Sequence, residues 1–155
     1  MKKLIILALI LSLYSCNQKV ELDDCRSAIK IDYLNGLEPE MSNNRVFDLL
    51  GEPDHKVHHK DDNDTGYNYY FVKEKGTIVV YTSDIINQVG AIDYFPGTRL
   101  YLSDILTSKT NIKVTNKTLD FTCGGDVVFE VKLHKANKYS TIKRIRYWGN
   151  IRLQE

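Results

Sequence analysis

Hydrophobic positions along the chain follow a helical period before residue 51 and a strand period after Pro53. Apolar residues at helical spacing predict a first helix from about Asp24 to Leu34. A second helix is predicted to begin after Ser42, whose side chain can cap its N-terminus, and to end at Gly51. The apolar face of this second helix is formed by Val46, Leu49 and Leu50. Pro53 cannot continue the helix, so the chain must change conformation there.

Beyond Pro53, alternating apolar and polar positions predict strands that are separated by turn residues. In the first half these strands are His55 to Lys60, Tyr67 to Lys73, Thr77 to Ser83 and Val89 to Phe95. In the second half, a helical turn is predicted from Ser103 to Ser108. The strands predicted after it are Ile112 to Val114, Lys117 to Thr122, Val127 to His134, Ser140 to Trp148 and Ile151 to Leu153. The short turns between successive strands favour antiparallel pairing.

This order of elements indicates the α+β class, with two short N-terminal helices packed on an antiparallel β-meander. Because a helix followed by a meander occurs in both halves, the chain also fits a tandem helix-plus-sheet duplication, with sub-units at 24–97 and 98–155. About 140 residues follow Ser15, which suffices for one hydrophobic core. We therefore predict a single domain over residues 24–155.

The N-terminus has the pattern of a secretory signal peptide. Lys2 and Lys3 precede an apolar run from Leu4 to Leu13, which is too short for a bilayer core that needs roughly 20 apolar residues. The following Tyr14-Ser15-Cys16 places a small residue before a cysteine. We therefore predict a removable leader over residues 1–15.

Leu13-Tyr14-Ser15-Cys16 resembles the bacterial lipoprotein signal, in which the cysteine is acylated with chains such as palmitate and the leader is cut just before it. This resemblance implies a lipid on Cys16 that attaches the protein to a membrane. Asn17 stands where an aspartate favours inner-membrane retention, which favours the outer membrane of the bacterial cell envelope. Residues 16–23 are predicted to be a polar tether that reaches about 25 Å. The alternative is an ordinary secreted protein that keeps Cys16 as a thiol.

The charge of the chain argues against nucleic acid as a partner. Removal of the leader takes away two lysines and no acidic residue, so the net charge falls from +1 to −1. A nearly neutral domain has no global field that attracts nucleic acid or anionic lipid. Positive charge is concentrated near the C-terminus, at Lys135, Lys138, Lys143, Arg144, Arg146 and Arg152. We interpret these residues as solvated strand edges and loop tips.

With Cys16 assigned to the lipid, Cys25 and Cys123 remain to pair with each other. Cys25 lies on the apolar face of the first predicted helix, and Cys123 shares the strand parity of Leu119 and Phe121. Export permits a disulfide between them, and closing so long a loop would stabilise the fold by up to about 4 kcal/mol. The alternative is two separate buried thiols.

A family resemblance appears between Gly36 and Asp54. The residues that carry it are Gly36-Leu37-Glu38-Pro39-Glu40-Met41-Ser42, Val46 and Leu49-Leu50-Gly51-Glu52-Pro53-Asp54. This segment resembles the signature of the small outer-membrane lipoproteins called SmpA/OmlA, or BamE-like: a turn, a capped helix and a Leu-Gly-x-Pro-Asp entry into the first strand. The helix-helix-meander unit, when doubled, is also similar to the β-lactamase-inhibitor-protein fold. The resemblance implies a binding or scaffold domain without catalytic activity.

No sequence motif points to an enzyme, a metal or a cofactor. His55, His58 and His59 cluster, but on a strand His55 and His59 would lie about 13 Å apart, too far to bind one metal ion together. Asp61, Asn63 and Thr65 begin like a calcium loop, yet Val72 stands at the position that requires glutamate. Recognisable nucleophile, phosphate-loop and zinc-protease motifs are absent from the sequence. We expect neither catalytic residues nor bound cofactors.

Tyrosine is abundant in the predicted strands, and Tyr67, Tyr69, Tyr70 and Tyr81 are the candidate partner-binding residues. Ordinary sheet packing is the alternative role for them. Strand parity will decide which pair points away from the helices. Two functions fit the sequence: an envelope scaffold or protein-binding lipoprotein, and an inhibitor or immunity lipoprotein that neutralises an enzyme or toxin at the cell envelope.

Overall fold

The computed structural model describes residues 17–22, 30, 34, 36–60, 65–85, 87–107, 112–123 and 126–148, and its main feature is one mixed sheet of eight strands. The strands are β1 (Gln18–Glu21), β2 (His55–Lys60), β3 (Thr65–Lys73), β4 (Gly76–Ser83), β5 (Gln88–Pro96), β6 (Thr118–Cys123), β7 (Asp126–Leu133) and β8 (Ile142–Trp148). The helices of the described residues are α1 (Asn43–Leu50) and α2 (Leu102–Ile105).

Two meanders are joined edge to edge in this sheet, whose strand order is β1-β6-β7-β8-β5-β4-β3-β2. Strands β2 to β5 form the first meander, and β6 to β8 form the second. The antiparallel pairing of β5 with β8 joins them. Strand β1 adds to the free side of β6 and is parallel to it. The N-terminal segment thereby covers an edge that would otherwise expose unpaired backbone groups.

Local signals in the sequence explain helix α1. The Ser42 side chain accepts a hydrogen bond from the Arg45 N–H at 3.4 Å, which satisfies one of the free donors at the helix start. The helix ends at Gly51, where φ is +79° and the N–H donates to the Phe47 carbonyl at 2.8 Å. These observations confirm the predicted start and end of this helix. Strands β2 to β8 each overlap a predicted strand.

The predicted fold class, two N-terminal helices packed on an antiparallel meander, is wrong. The structure is dominated by a single mixed sheet, and its described helices contain only eight and four residues. The predicted sub-units 24–97 and 98–155 do not form separate sheets, because β5 and β8 pair. Each meander alone would leave a long unpaired edge, and pairing the two edges satisfies the backbone of both.

Two further segments differ from the prediction, and two others lie mostly or wholly outside the described residues. Residues 18–21 of the predicted tether form β1. The predicted strand from Ile112 to Val114 does not form. Its backbone bonds to a side chain instead, since the Gln18 amide donates to the Lys113 carbonyl at 2.7 Å. The first predicted helix lies outside the described residues except for positions 30 and 34, and the strand at 151–153 lies wholly outside them.

Alternation along the strands gives the sheet an apolar inner face and a mixed outer face. The inner face contributes Phe71, Ile92, Phe121 and Val131 to the core, all fully buried. Both described helices pack on this side, since Val46 and Leu50 of α1 and Leu102 and Ile105 of α2 belong to the same cluster. Among the described elements, therefore, no helix covers the outer face.

Candidate binding face

The register of the sheet aligns one row of outer-face residues across all eight strands. Each member lies directly opposite the next, and we call them the central row: His55, Tyr70, Val79, Asp93, Arg146, Glu130, Asp120 and Lys19. The adjacent row includes Val57, Asn68, Tyr81, Ala91 and Trp148. The centre of the outer face thus combines charged and aromatic side chains.

Asp93 occupies the middle of the central row and is only 1% exposed. Across the β5–β8 junction, Arg146 donates from Nε to Asp93 Oδ1 and from Nη2 to Oδ2, each at 2.5 Å. The Tyr81 hydroxyl donates to Asp93 Oδ2 at 2.9 Å. A buried carboxylate is costly unless charged or polar groups compensate it, and here three donated hydrogen bonds do so.

The guanidinium of Arg146 lies between two aromatic rings. Its central carbon is 5.1 Å from the Tyr81 ring centre and 5.0 Å from the Trp148 ring centre, which is the range of cation–π contacts. Hydrogen bonding to Asp93 raises the pKa of Arg146, so the group stays charged. Burial, and then the charge of Asp93, raises the pKa of Tyr81 to about 12. At neutral pH Tyr81 is therefore a neutral donor.

A second ion pair flanks the first and balances the charge of the cluster. Arg144 hydrogen-bonds to Glu130 across the β7–β8 ladder, and its Nη1 lies 3.7 Å from Asp93 Oδ2. Two arginines thus face two carboxylates. The charges of the two arginines and the two carboxylates therefore balance within the cluster. The arrangement is suited to holding aromatic side chains in fixed positions.

Several large apolar side chains on the outer face are open to solvent. Their exposed fractions are 41% for Val57, 62% for Val72, 37% for Phe95 and 38% for Trp148. Their register partners place all four on the side of the sheet that carries Asp93. Of these groups, exposed aromatic side chains beside an arginine are the ones enriched in protein interfaces.

The four candidate tyrosines are divided between the two faces, and strand parity selects the outward pair. Tyr70 and Tyr81 lie on the outer face, whereas Tyr67 and Tyr69 lie on the inner one. The Tyr69 ring meets the Phe47 ring of α1 edge-on, with centres 5.1 Å apart, and Tyr67 stacks on Tyr69 at 5.7 Å. Burial raises the pKa of Tyr69. Tyr67 and Tyr69 thus help to attach the helix, and only Tyr70 and Tyr81 remain candidates for binding.

Sequence reasoning missed the residues that surround Tyr81. The sequence predicts that Arg144 and Arg146 lie at solvated strand edges or loop tips. In the structure their side chains are only 21% and 22% exposed. One available signal was the acidic Asp93 within the otherwise apolar strand from Val89 to Phe95. A buried acid in a central strand requires a cation, and the alternate positions of β8 supply arginines.

The remaining predicted residues take no part in the outer-face cluster. Cys123 is disulfide-bonded. Cys16 and Cys25 lie outside the described residues, so the lipid on Cys16 and the pairing of Cys25 with Cys123 stay predictions. His55 and His58 contact the rings of Tyr70 and Tyr67 respectively.

Within the described ranges, no three His, Cys, Asp or Glu side chains come together as a metal site. In the same part of the chain, every helix is too short or too polar to cross a bilayer. Comparison with known proteins finds no matching family model, and no curated protein or solved structure is significantly similar to the chain. We therefore infer the function from the geometry of the outer face and from the N-terminal sequence.

Proposed function

We propose that this protein is a lipoprotein of the bacterial cell envelope, anchored through Cys16, and that it binds another protein through the outer face of its sheet without catalysing a reaction. The observation that carries the binding proposal is the Tyr81–Arg146–Trp148 stack over Asp93. Tyrosine, tryptophan and arginine are the residues that most often dominate binding energy in protein interfaces.

The rigidity of this cluster supports the proposal. Arg146 is held by two hydrogen bonds to Asp93, so the side chain does not have to be ordered when a partner binds. Trp148 packs on its guanidinium while 38% of the tryptophan stays exposed. Preorganised aromatic groups lose little conformational entropy on association. The outer face therefore suits a protein partner that presents apolar groups to Trp148 and Tyr70.

The N-terminal sequence supports the location of this activity. A leader of residues 1–15 followed by Cys16 matches the lipoprotein pattern, and export agrees with the disulfide at Cys123. The segment from Met41 to Asp54 that resembles SmpA/OmlA forms the junction between α1 and β2. That junction organises the fold, whereas the binding proposal depends on the strands beyond it.

Site-specific photo-crosslinking in intact cells tests the proposal. A photoreactive phenylalanine analogue placed at Tyr70 or Phe95 on the outer face should crosslink one defined envelope protein. The same analogue at Ile85, which is 71% exposed but lies in the turn between β4 and β5, is the matched control and should not crosslink it. The added substitution Trp148→Ala should remove the crosslink from Tyr70.

The identity of the captured protein separates the two functions that the sequence suggested. Recovery of β-barrel assembly proteins supports an envelope scaffold, and recovery of a hydrolase or toxin supports an inhibitor or immunity lipoprotein. Equal crosslinking from Ile85 and Tyr70, or none from either outer-face position, would contradict binding through this face.

A further inference from the structure

Strand β1 begins close in sequence to Cys16, the predicted lipid anchor. Strand β1 begins at Gln18, two residues after Cys16, and each residue of extended chain spans at most about 3.6 Å. The Asn17 side chain donates to Asp120 Oδ1 at 3.2 Å, which extends the attachment by one more residue. The anchor therefore lies within about 7 Å of the start of β1, and no long tether separates the domain from the membrane.

Two loops lie at this same end of the sheet. Since β1 is parallel to β6, the segment that precedes β6 (residues 112–117) stands beside the start of β1. Strand β7 is antiparallel to β6, so the connection from β7 to β8 (residues 134–141) also lies there. Gln18 Oε1 accepts hydrogen bonds from the Thr115 N–H at 2.8 Å and the Asn116 N–H at 3.3 Å, which joins the first loop directly to β1.

These two segments, which we call the lysine loops, form one continuous basic surface. They line a common cleft with Lys113 and Val114 on one side and Asn137, Lys138 and Tyr139 on the other. The charged side chains of the lysine loops are all exposed and are all lysines: Lys113, Lys117, Lys135 and Lys138. Residues 112–117 and 134–141 contain no aspartate or glutamate.

The far ends of β1 and β7 carry acidic residues instead. Glu21 ends β1, Asp84 follows β4 and Asp126 begins β7, and all three are exposed. In the part of the sheet around β1, β6 and β7, charge is therefore separated along the strand direction. The positive end is the end that carries the anchor.

We infer that the lysine loops contact the headgroups of anionic phospholipids in the membrane to which Cys16 is attached, so that lipid and loops together fix the orientation of the domain. This inference rests on the proposed anchoring at Cys16. A lysine within a Debye length of an anionic membrane, about 10 Å at 0.1 M salt, is attracted to it. Tyr139 is 76% exposed, with the Lys138 ammonium 5.0 Å from its ring centre, and tyrosine beside lysine is typical of side chains at membrane interfaces.

Binding to lipid vesicles tests the lysine loops separately from the anchor. The chain from residue 16 onward, with Cys16→Ser, keeps every described residue but cannot be acylated. It is sedimented with vesicles of phosphatidylethanolamine and phosphatidylglycerol, and with neutral vesicles of phosphatidylcholine. One variant combines Lys113→Gln, Lys117→Gln and Lys138→Gln. The matched control combines Arg45→Gln, Lys56→Gln and Lys60→Gln, which removes the same charge from exposed positions on α1 and β2.

The parent chain and the control should bind the anionic vesicles and not the neutral ones at low salt. The lysine-loop variant should lose at least about tenfold in partition coefficient, with an unchanged melting temperature. An equal loss in the control, or no preference for anionic vesicles in the parent chain, would overturn the inference. Tighter binding to a single-stranded oligonucleotide than to anionic vesicles would also overturn it.

Labelling with a radioactive fatty acid in cells separates this test from that of the proposed function. An unlabelled Cys16 in the full chain contradicts the lipid anchor even when the lysine loops bind vesicles. A labelled Cys16 together with no vesicle binding contradicts the lysine-loop contact and leaves the proposed function standing.

Discussion

Arg146 and Asp93 lie directly opposite each other across β8 and β5 and share two hydrogen bonds of 2.5 Å. These two strands form the junction between the meanders, and they are separated in sequence by α2, β6 and β7. No hairpin turn determines their register. A shift by one residue would place Asp93 on the apolar inner face without a partner. We therefore interpret the pair as the contact that specifies how the two meanders align.

Replacement of one partner should destabilise the fold more than replacement of both. Arg146→Met leaves the buried Asp93 without its main partner, and we expect a loss of about 3 kcal/mol in the free energy of unfolding. Adding Asp93→Val should restore most of this loss, because an apolar pair needs no compensation. Urea unfolding measures Arg146→Met, Asp93→Val and the double variant. If the two single losses simply add in the double variant, the ion pair does not act as a unit.

The elevated pKa of Tyr81 predicts a loss of stability in alkali. The folded protein keeps the phenol proton up to a pKa of about 12, whereas the unfolded chain releases it near the ordinary value of 10.0. The contribution is therefore fully present below about pH 10 and is lost as the pH rises to about 12. In an absorbance titration of tyrosinate, Tyr81→Phe should remove the component near pH 12 and leave the rest of the curve unchanged. A component near pH 12 that persists in the variant would contradict this assignment.

Tyrosines on the two faces should respond differently to substitution. Tyr70→Ala on the outer face should lower the yield of the crosslinked partner, measured from a probe at Phe95, by about tenfold without changing the melting temperature. Tyr69→Ala removes the contact with Phe47 and should instead destabilise the domain by about 2 kcal/mol. Circular dichroism and thermal melting separate the two effects. A Tyr70 variant that unfolds, or binds normally, would show that the residue only packs.

We expect substitution of Gly51 to destabilise the fold because of the backbone conformation at this position. Its φ of +79° and ψ of −162° lie in a region that side chains disfavour, while an added Cβ would meet no atom within 4 Å. Gly51→Val should therefore cost about 1 kcal/mol or more through strain alone, as measured by urea unfolding. Glu52→Val at the exposed neighbouring position is the control and should be nearly neutral. An unchanged stability of the Gly51 variant would mean that the turn has another conformation.

The anchoring prediction is tested by one substitution at the predicted lipidation site. Cys16→Ser should abolish acylation and either release the protein into the soluble fraction or leave the leader uncleaved. Fractionation of cells, followed by mass measurement of the N-terminal peptide, distinguishes these results. A variant that is fully processed and still attached to the membrane would show that the lipid is not on Cys16.

Local features of the fold could be predicted because neighbouring residues determine them. The helix cap at Ser42 and the helix end at Gly51 depend on backbone groups within one turn of each residue. Alternation from Phe129 to Leu133 identified the buried side of β7, since side chains of a strand alternate between faces. The division of Tyr69 and Tyr70 between opposite faces follows from the same rule.

The sequence by itself determined where α1 and strands β2 to β8 form and which residues of each strand share a face. Only the tertiary structure decided that β5 pairs with β8, that β1 runs parallel to β6 and that Asp93 meets Arg146. These contacts join residues that are far apart in the chain. Hydrophobic periodicity shows whether a strand has a buried side. It does not show which other strand will pair with the free backbone groups of that strand. The residues that meet on the outer face depend on which strands pair, and so does the candidate binding site.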